Sequence, residues 1–314
     1  MWSLPSWLRR DQLRDEGVPP VVLISFDRPH YLQQVLEGFT AQRALVPERV
    51  HLFQDGAVNA YSGRVAAEQA DIDACIALFR HLVPRGHVHI APANIGITEN
   101  FLRAERFVFE ELGAEYAYFC EDDFVPSPEY LTAMGRVYQA VRYEDRIGYF
   151  AAYGDWRANL DRQRAAPTAL ILLTHQVAFG LKRSHWSMMQ PVLQPYYQLV
   201  IGRDEKVLPT KAILAALQRN KLAPANAAQD NVKFFVTTLL GSARINTLAC
   251  FGKYIGETGE HMTPGRYAKL GYHKTCLFDG PLPDTFETPT NEQIESYISQ
   301  MTEIWAKAYQ AQTS

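Results

Sequence analysis

Residues 116–130 read Tyr-Ala-Tyr-Phe-Cys-Glu-Asp-Asp-Phe-Val-Pro-Ser-Pro-Glu-Tyr. An apolar and aromatic run ends in three consecutive carboxylates, Glu121, Asp122 and Asp123, and two prolines follow them. Aromatic and small apolar residues suit a buried strand, so the triplet is expected where that strand leaves its sheet. Three adjacent like charges repel one another, and a divalent cation is the simplest compensator because hard cations prefer carboxylate oxygens. The alternative interpretation is a solvated acidic turn, which short motifs often mark.

Strand and helix patterns alternate through the first half of the chain, which predicts an α/β fold with a mostly parallel sheet. The predicted strands up to the triplet are 20–26, 50–54, 86–91 and the run that ends in Glu121. The predicted helices between them are 29–40, about 63–82 and 98–112.

The second half has a weaker pattern. Strands are predicted at 148–152, 169–174 and 245–250, and helices at 128–142, 184–189, 212–219, 231–240 and 291–310. Prolines blur the pattern across 190–231, and 257–274 has the composition of a loop. Because no linker separates two cores, we expect an N-terminal arm (1–19), one α/β domain (20–280) and a C-terminal helical segment (281–314).

The composition is that of an ordinary soluble globular protein. The 314 residues are 47% hydrophobic and 21% charged, and the formal net charge of −3 gives no general attraction for a polyanion. The four cysteines are widely spaced without a CxxC pair. They indicate reduced thiols in a cytoplasmic protein and argue against a disulfide framework or a zinc site.

The N-terminal sequence has no signal-peptide pattern, and no window of the chain has the apolar length of a membrane span. We therefore expect a cytoplasmic enzyme of bacterial or viral origin. Trp2, Trp7 and Leu8 stand beside two arginines, so the arm either packs on the domain or makes a peripheral membrane contact.

Polar residues follow each of the first four predicted strands. In open α/β sheets, ligands bind at the carboxyl ends of the strands, so these residues are expected to form one site. They are Ser25, Asp27 and Arg28 after the first strand, Asp55-Gly56 after the second, Asn94-Ile95-Gly96 after the third, and the acidic triplet after the fourth.

This set resembles the GT-A fold of nucleotide-sugar glycosyltransferases. More closely, it is similar to the N-acetylglucosaminyltransferase family that initiates hybrid and complex N-glycans. The likeness rests on Phe26-Asp27-Arg28, Gln54-Asp55-Gly56, Glu121-Asp122-Asp123 with Pro128-Glu129-Tyr130, Phe179-Gly180-Leu181 with Trp186, and Phe251-Gly252-Lys253 with Gly259-Glu260-His261. It covers roughly residues 20 to 265.

The resemblance implies a role for each matching residue. Asp55 would accept a hydrogen bond from a uracil imide, Arg28 would lie beside the nucleotide, and Asn94 and Asn100 would line the same pocket. Glu121 would face the sugar hydroxyls and Asp122 the ribose or the donor sugar. Asp123 would bind Mn²⁺ or Mg²⁺ across the diphosphate, and His261 is a second candidate contact for the metal or phosphate, with a surface-loop histidine as the alternative.

An inverting transfer also needs a base for the acceptor hydroxyl. The family's base lies in a Trp-Asp-Asp-Trp segment, whose nearest match here is Gln229-Asp230-Asn231, without the tryptophans. Asp230 is therefore the expected base, and Asp204 is its rival. Tyr267, Tyr272, His273 and Lys274 are candidates for a lid over the site.

The resulting hypothesis is a metal-dependent, inverting transferase that moves a sugar from a UDP-sugar to a glycan or another hydroxyl-bearing acceptor, nucleic acid included. A sugar-phosphate nucleotidyltransferase is one alternative, although residues 25–30 lack the Gly-rich phosphate loop that it needs. A non-catalytic glycan-binding protein on the same fold is the other.

Overall fold

The strands of this computed structural model, which describes residues 18–259 and 262–313, are short and mostly buried. They are β1 (Val21–Ser25), β2 (Val50–Gln54), β3 (His87–Ile90), β4 (Tyr116–Glu121), β5 (Phe124–Pro126), β6 (Ile147–Ala151), β7 (Leu170–Leu172), β8 (Ala178–Lys182), β9 (Ala243–Thr247) and β10 (Gly252–Tyr254). The predicted membrane contact of the N-terminal arm falls on Trp2, Trp7 and Leu8, which lie outside the described residues.

Helices connect these strands. They are α1 (Pro29–Thr40), α2 (Gln69–Leu82), α3 (Gly96–Arg106), α4 (Tyr130–Val141), α5 (Leu160–Ala165), α6 (Arg183–Val200), α7 (Thr210–Leu217), α8 (Gln229–Leu239), α9 (Pro264–Leu270) and α10 (Asn291–Thr313). A π-helical turn, Phe107–Glu111, continues α3. Within the described ranges, no helix has the length and apolar character needed to cross a membrane.

Eight strands form one sheet in the order β3-β2-β1-β4-β8-β6-β9-β7, and β5 and β10 form a separate two-stranded ribbon. The four strands from β3 to β4 are parallel neighbours, as are β6 and β9. β8 and β7 run antiparallel to their neighbours. The predicted α/β fold with a mostly parallel sheet is therefore confirmed, and the carboxyl ends of β1 to β4 share one edge.

β1 shows why the first strands of the sheet can be predicted from the sequence. All five residues of Val21–Ser25 are buried, although successive side chains point to opposite faces. A strand that is covered on both faces is a continuous apolar run, which is how β1 appears in the sequence. On α3, Phe101 packs against Phe119 of β4 and Phe179 of β8.

The largest difference from the sequence prediction is α6. Its 18 residues include Pro191 and Pro195, whereas the sequence predicted a short helix at 184–189 followed by irregular structure. Proline ordinarily weakens a helix interior. Here the apolar face outweighs that cost, because residues at helical spacing, including Trp186, Met189 and Leu193, are buried in the core.

The sequence also does not predict α5, β5, β8, α9 and β10. β8 lies between β4 and β6, and Gly180 gives the Phe150 ring the space that a side chain would occupy. The segment predicted as a loop at 257–274 contains α9, which the Thr263 side chain caps by accepting a hydrogen bond from the Arg266 amide at 3.3 Å. Gly271, with φ of 85°, ends that helix in the left-handed conformation.

The C-terminal helix α10 packs against elements that precede it in the chain. Ile294, Met301 and Trp305 of α10 are buried, and the Trp305 indole N–H donates to Thr238 Oγ1 at 3.0 Å. The predicted helix at 291–310 is thus present, packed against α8 and β9.

Candidate active site

The carboxyl ends of β1 and β4 meet directly. The Phe26 amide, just after β1, donates to Asp122 Oδ2 at 3.3 Å. The side-chain amide of Gln54, at the end of β2, donates to the Phe26 carbonyl at 2.6 Å. These bonds bring three strand ends into one cluster, as the sequence predicted.

Arg28 lies against the acidic triplet. Its Nη2 donates to Asp122 Oδ1, and its Nη1 lies 2.8 Å from Asp123 Oδ2. The two carboxylate side chains are only 3% and 4% exposed, whereas Arg28 is 23% exposed. Burial lowers the pKa of the guanidinium, but the nearby carboxylates outweigh burial and raise the net value. Arg28 is therefore a positive charge held between two buried negative ones.

Asp123 has one oxygen left over. Its Oδ1 is buried and has no hydrogen-bond partner among the described residues. Burial raises the pKa of Asp123 to about 6, with Arg28 opposing and Asp122 adding to the shift. A buried polar atom without a partner is costly, so an unpaired carboxylate oxygen suits a ligand or an ion.

Glu121 lies at the end of β4, and its side chain makes no hydrogen bond within the described part of the chain. Burial raises the pKa of Glu121 well above its usual range, and the carboxylates of Asp123 and Asp230 raise it further. Asp27, which is half-buried, also has a raised pKa, first from burial and then from Asp122. The site therefore holds more carboxyl groups than its one arginine can neutralise.

The β5–β10 ribbon covers the triplet, and sequence reasoning did not find it. Tyr254 of β10 pairs with Phe124, the residue after Asp123, and the Ile255 amide donates to the Asp123 carbonyl at 2.8 Å. Gly256 packs so closely that a Cβ there would lie 2.5 Å from Asp123 Oδ2. Burial and the charges of Asp123 and Glu121 raise the pKa of the Tyr254 phenol.

The segment after β10 also contacts the start of α1. The Tyr31 hydroxyl lies 3.1 Å from Thr258 Oγ1 and accepts a hydrogen bond from the Thr258 amide at 3.2 Å. Arg28 Nη1 reaches the Thr258 carbonyl at 3.4 Å. His261, the candidate second contact for metal or phosphate, lies outside the described residues.

The four predicted lid residues divide into two pairs. Tyr267 and Tyr272 are buried; the Tyr267 hydroxyl donates to the Tyr254 carbonyl at 2.8 Å, and the Tyr272 ring lies 4.9 Å from the Tyr254 ring. His273 and Lys274 are exposed. The tyrosine pair thus fastens the 263–274 segment to β10, while its role as a lid stays a prediction.

Asp55 is buried and organises the loop that follows β3. Its Oδ1 accepts from the Gly56 and Ile95 amides at 2.9 Å, and its Oδ2 accepts from the Asn94 side chain and the Gly96 amide at 3.0 Å. A carboxylate offers about four lone-pair positions, and all four are in use. Recognition of a nucleobase imide by Asp55 therefore stays a prediction that requires one of these bonds to open.

Asn94 and Asn100 are also engaged in hydrogen bonds, whereas the buried Ser25 hydroxyl has no hydrogen-bond partner among the described residues. The Asn94 side chain accepts a hydrogen bond from the side-chain amide of Asn59 at 3.0 Å and also donates one to Asp55. Asn100 is 1% exposed; it donates to the Phe53 carbonyl and accepts from Arg103, at 3.1 and 2.9 Å. Ser25 is buried at the end of β1. In this structure these side chains support the strand ends, and their contacts with a nucleotide stay predictions.

Asp230 lies in the first turn of α8, about a hundred residues after the triplet in sequence. It is partly exposed, and its Oδ1 accepts a hydrogen bond from the backbone amide of the neighbouring Asn231 at 2.7 Å. The negative charge of Asp230 nevertheless raises the pKa of Glu121, which indicates that Asp230 lies near the acidic triplet.

Asp204, the rival candidate, is held by other residues. It accepts from Ser62 Oγ at 2.6 Å, from the Lys206 amide at 3.0 Å and from two nitrogens of Arg64, both at 3.0 Å. These hydrogen bonds hold the pKa of Asp204 well below its usual range. The adjacent Glu205 accepts from the Thr98 amide at 2.8 Å, at the start of α3.

Metal ligation would have to involve few protein groups. Within residues 18–259 and 262–313, no group of three or more His, Cys, Asp or Glu side chains is arranged to hold a metal. Cys75, Cys120 and Cys250 are buried free thiols, and Cys276 is an exposed one, as the sequence predicted. Asp123 Oδ1 is the best-placed ligand atom, and a cation there would need most of its oxygens from elsewhere.

No protein-family model and no curated protein matches this chain. Among solved structures, it is similar to glucosyl-3-phosphoglycerate synthase from Mycobacterium tuberculosis, crystallised with Mn²⁺, UDP and glucosyl-3-phosphoglycerate. That match has 12% identity and a TM-score of 0.33 and covers 59% of this chain and 64% of that chain. A second is S. aureus TarS, with 10% identity and a TM-score of 0.41 over 74% of this chain and 35% of that chain. The chain thus spans less than two thirds of either protein, and these values do not assign it to a family.

Proposed function

We propose that this protein is a GT-A glycosyltransferase that moves a sugar from a UDP-sugar to an acceptor hydroxyl with the help of a divalent cation. The observation that carries the proposal is Asp123 Oδ1, a buried and unpartnered carboxylate oxygen at the carboxyl edge of the sheet. Ligands of α/β sheets bind at this edge, and few other roles account for so many buried carboxyl groups. The finer likeness to N-acetylglucosaminyltransferases stays a prediction.

The residues present fit Mn²⁺ or Mg²⁺ held mainly by a diphosphate. Asp123 would supply a protein oxygen, and phosphate and water oxygens would supply the rest, a common arrangement for Mg²⁺ at nucleotide sites. When bound, the cation would supply Lewis acidity that stabilises the negative charge of the departing nucleoside diphosphate.

The nucleotide would lie along β1, β2 and the loop after β3. Arg28 offers a planar guanidinium, which suits phosphate oxygens. Because the Asp55 carboxylate already accepts four bonds, we propose that it acts on the nucleobase chiefly by holding residues 94–96 in place. Ser25, Asp27, Asn94 and Asn100 would shape the same pocket from the strand ends.

Glu121 and Asp122 would face the donor sugar and the ribose. Glu121 is partly buried at the end of β4, and a carboxyl group there could accept hydrogen bonds from sugar hydroxyls. Asp122 lies beside Arg28 and would accept hydrogen bonds from sugar hydroxyls.

Asp230 would be the base that takes the acceptor proton in an inverting displacement. Two observations favour it over Asp204. Its charge acts on Glu121, so it lies near the proposed sugar position, and it is not tied into an ion pair in the described structure. Asp204 has a lowered pKa and four internal hydrogen bonds, which make it a poor proton acceptor.

Thermal unfolding with a nucleotide panel tests the proposal. UDP and UDP-sugars with Mn²⁺ should raise the unfolding temperature, because ligand at about 100 times its Kd stabilises the native state by about 2.7 kcal/mol. GDP and ADP should stabilise less. If UTP with a sugar 1-phosphate is consumed and no UDP-sugar stabilises the protein, a nucleotidyltransferase replaces the proposal.

A further inference from the structure

The guanidinium of Arg28 lies where a cation would be expected. It contacts one oxygen of Asp122 and lies 2.8 Å from one oxygen of Asp123, so a single group neutralises both buried carboxylates. Arginine stays charged under all ordinary conditions. Removing it would leave two buried like charges facing each other, which is strongly unfavourable.

A divalent cation on Asp123 would share that carboxylate with Arg28. Both positive groups would use the oxygens of Asp123, of which Oδ2 lies beside Arg28 and Oδ1 has no hydrogen-bond partner among the described residues. Two neighbouring cations repel each other strongly in a partly buried site. A metal ion that binds without nucleotide must therefore either displace the guanidinium or bind despite its repulsion.

A nucleoside diphosphate would change this balance. The guanidinium fork matches phosphate oxygens with paired hydrogen bonds, as it does a carboxylate. Arg28 is 23% exposed, so it has a solvent-facing side from which a phosphate can approach. Its further contacts are the Tyr31 ring, whose centroid lies 5.4 Å from the guanidinium carbon, and the Thr258 carbonyl at 3.4 Å, a long bond that would be lost at little cost.

We propose that Arg28 is an exchangeable counter-ion: it neutralises Asp122 and Asp123 in the nucleotide-free protein and moves to the diphosphate when the nucleotide binds, which removes its positive charge from beside Asp123 and lets the metal bind there. This rests on the proposed function. It makes nucleotide and metal binding cooperative, and by linkage each tightens the other by the same factor. The metal site is thus built for the metal–nucleotide complex and binds the bare ion weakly.

The test is direct measurement of Mn²⁺ binding by the paramagnetic resonance signal of the free ion. Wild type should bind Mn²⁺ alone weakly and at least 10-fold more tightly when UDP is present. Arg28→Met, which keeps an unbranched side chain but no charge, should bind Mn²⁺ alone at least 10-fold more tightly than wild type. In that variant, UDP should increase the Mn²⁺ affinity much less than it does in wild type. Arg28→Lys keeps the charge and should bind Mn²⁺ alone as weakly as wild type.

Arg43→Met is the matched control, because Arg43 is 83% exposed and pairs with Glu129 outside the site, at 3.6 Å. If Arg28→Met does not fold, Arg28→Gln makes the same comparison. Equal Mn²⁺ affinity in wild type and the uncharged variant, or equal enhancement by UDP in both, would overturn the counter-ion role. Absence of any UDP-dependent Mn²⁺ binding by wild type would instead overturn the proposed function, while the comparison with Mn²⁺ alone still tests Arg28.

Discussion

Lys233 Nζ lies 2.5 Å from Glu105 Oε1, and the two side chains are 1% and 0% exposed. The pair joins α8 to α3, and the indole of Trp186 donates to the other Glu105 oxygen at 3.3 Å. Lys233 follows Asp230 by three residues, one turn of the same helix. A buried ion pair thus fixes the helix end that carries the proposed base.

Lys233→Met should destabilise the protein by about 3–5 kcal/mol, because it leaves the Glu105 carboxylate buried without its cation. The double variant Glu105→Leu, Lys233→Met should recover most of that loss, since both buried charges are gone. Urea unfolding measures both effects. A double variant no more stable than Lys233→Met would show that the loss comes from packing.

Asp230→Asn should lower kcat by about 10²-fold or more and leave UDP-sugar affinity unchanged, because the amide cannot accept the acceptor proton. Asp204→Asn serves as the comparison. It should lower the urea midpoint, since it weakens the bonds to Arg64 and Ser62, but the folded protein should keep most of its kcat. Steady-state kinetics on both variants measure these effects. A large loss of kcat in Asp204→Asn with kcat kept in Asp230→Asn would make Asp204 the base.

Asp55→Ala should destabilise the native state by about 2–4 kcal/mol, because it leaves buried amides of residues 56, 95 and 96 without their acceptor. Nucleotide affinity should fall with it, since the loop after β3 loses its anchor. Urea unfolding and UDP titration measure the two effects. If stability is unchanged while discrimination between UDP and CDP is lost, Asp55 instead reads the base directly.

The buried histidines should lower the stability of the protein below about pH 6.5. Burial lowers the pKa of His175 to about 4 and those of His89 and His185 to about 3, whereas an unfolded histidine titrates near 6.5. The unfolded state therefore takes up protons that the native state does not. Each such histidine costs about 1.4 kcal/mol of stability per pH unit as the pH falls from about 6.5 towards its folded pKa.

The free energy of unfolding at pH 7 and pH 5 measures this dependence. His185→Gln should make the slope shallower even if its packing loss lowers stability at both values, and the exposed His30→Gln should not. An unchanged slope in His185→Gln would contradict the account.

The elements that sequence predicted well are those whose pattern is local. β1 and β4 are largely apolar runs, and the α1 bounds follow from Pro29 and its apolar face. The strand ends could be grouped into one site because parallel neighbours share an edge. β5 and β10 have three residues each and become strands only by pairing with each other across the chain.

The unpredicted parts of the site depend on such distant contacts. Tyr254 lies beside Asp123 because β10 returns to β5, and nothing in its local sequence indicates this. The sequence alone does not distinguish Asp204 from Asp230 as candidates for the base. They differ because Arg64, 140 residues earlier, pairs with the first, whereas the second lies near Glu121.

The central claim is tested most directly by UDP release from UDP-sugars, measured for wild type and Asp123→Asn in Mn²⁺ and in excess EDTA. The account predicts release by wild type in Mn²⁺, loss of release in EDTA, and loss of release in Asp123→Asn with the fold intact by circular dichroism. Asp284→Asn, at a fully exposed carboxylate, should behave as wild type. Full activity in excess EDTA, or wild-type turnover by Asp123→Asn, would contradict the claim.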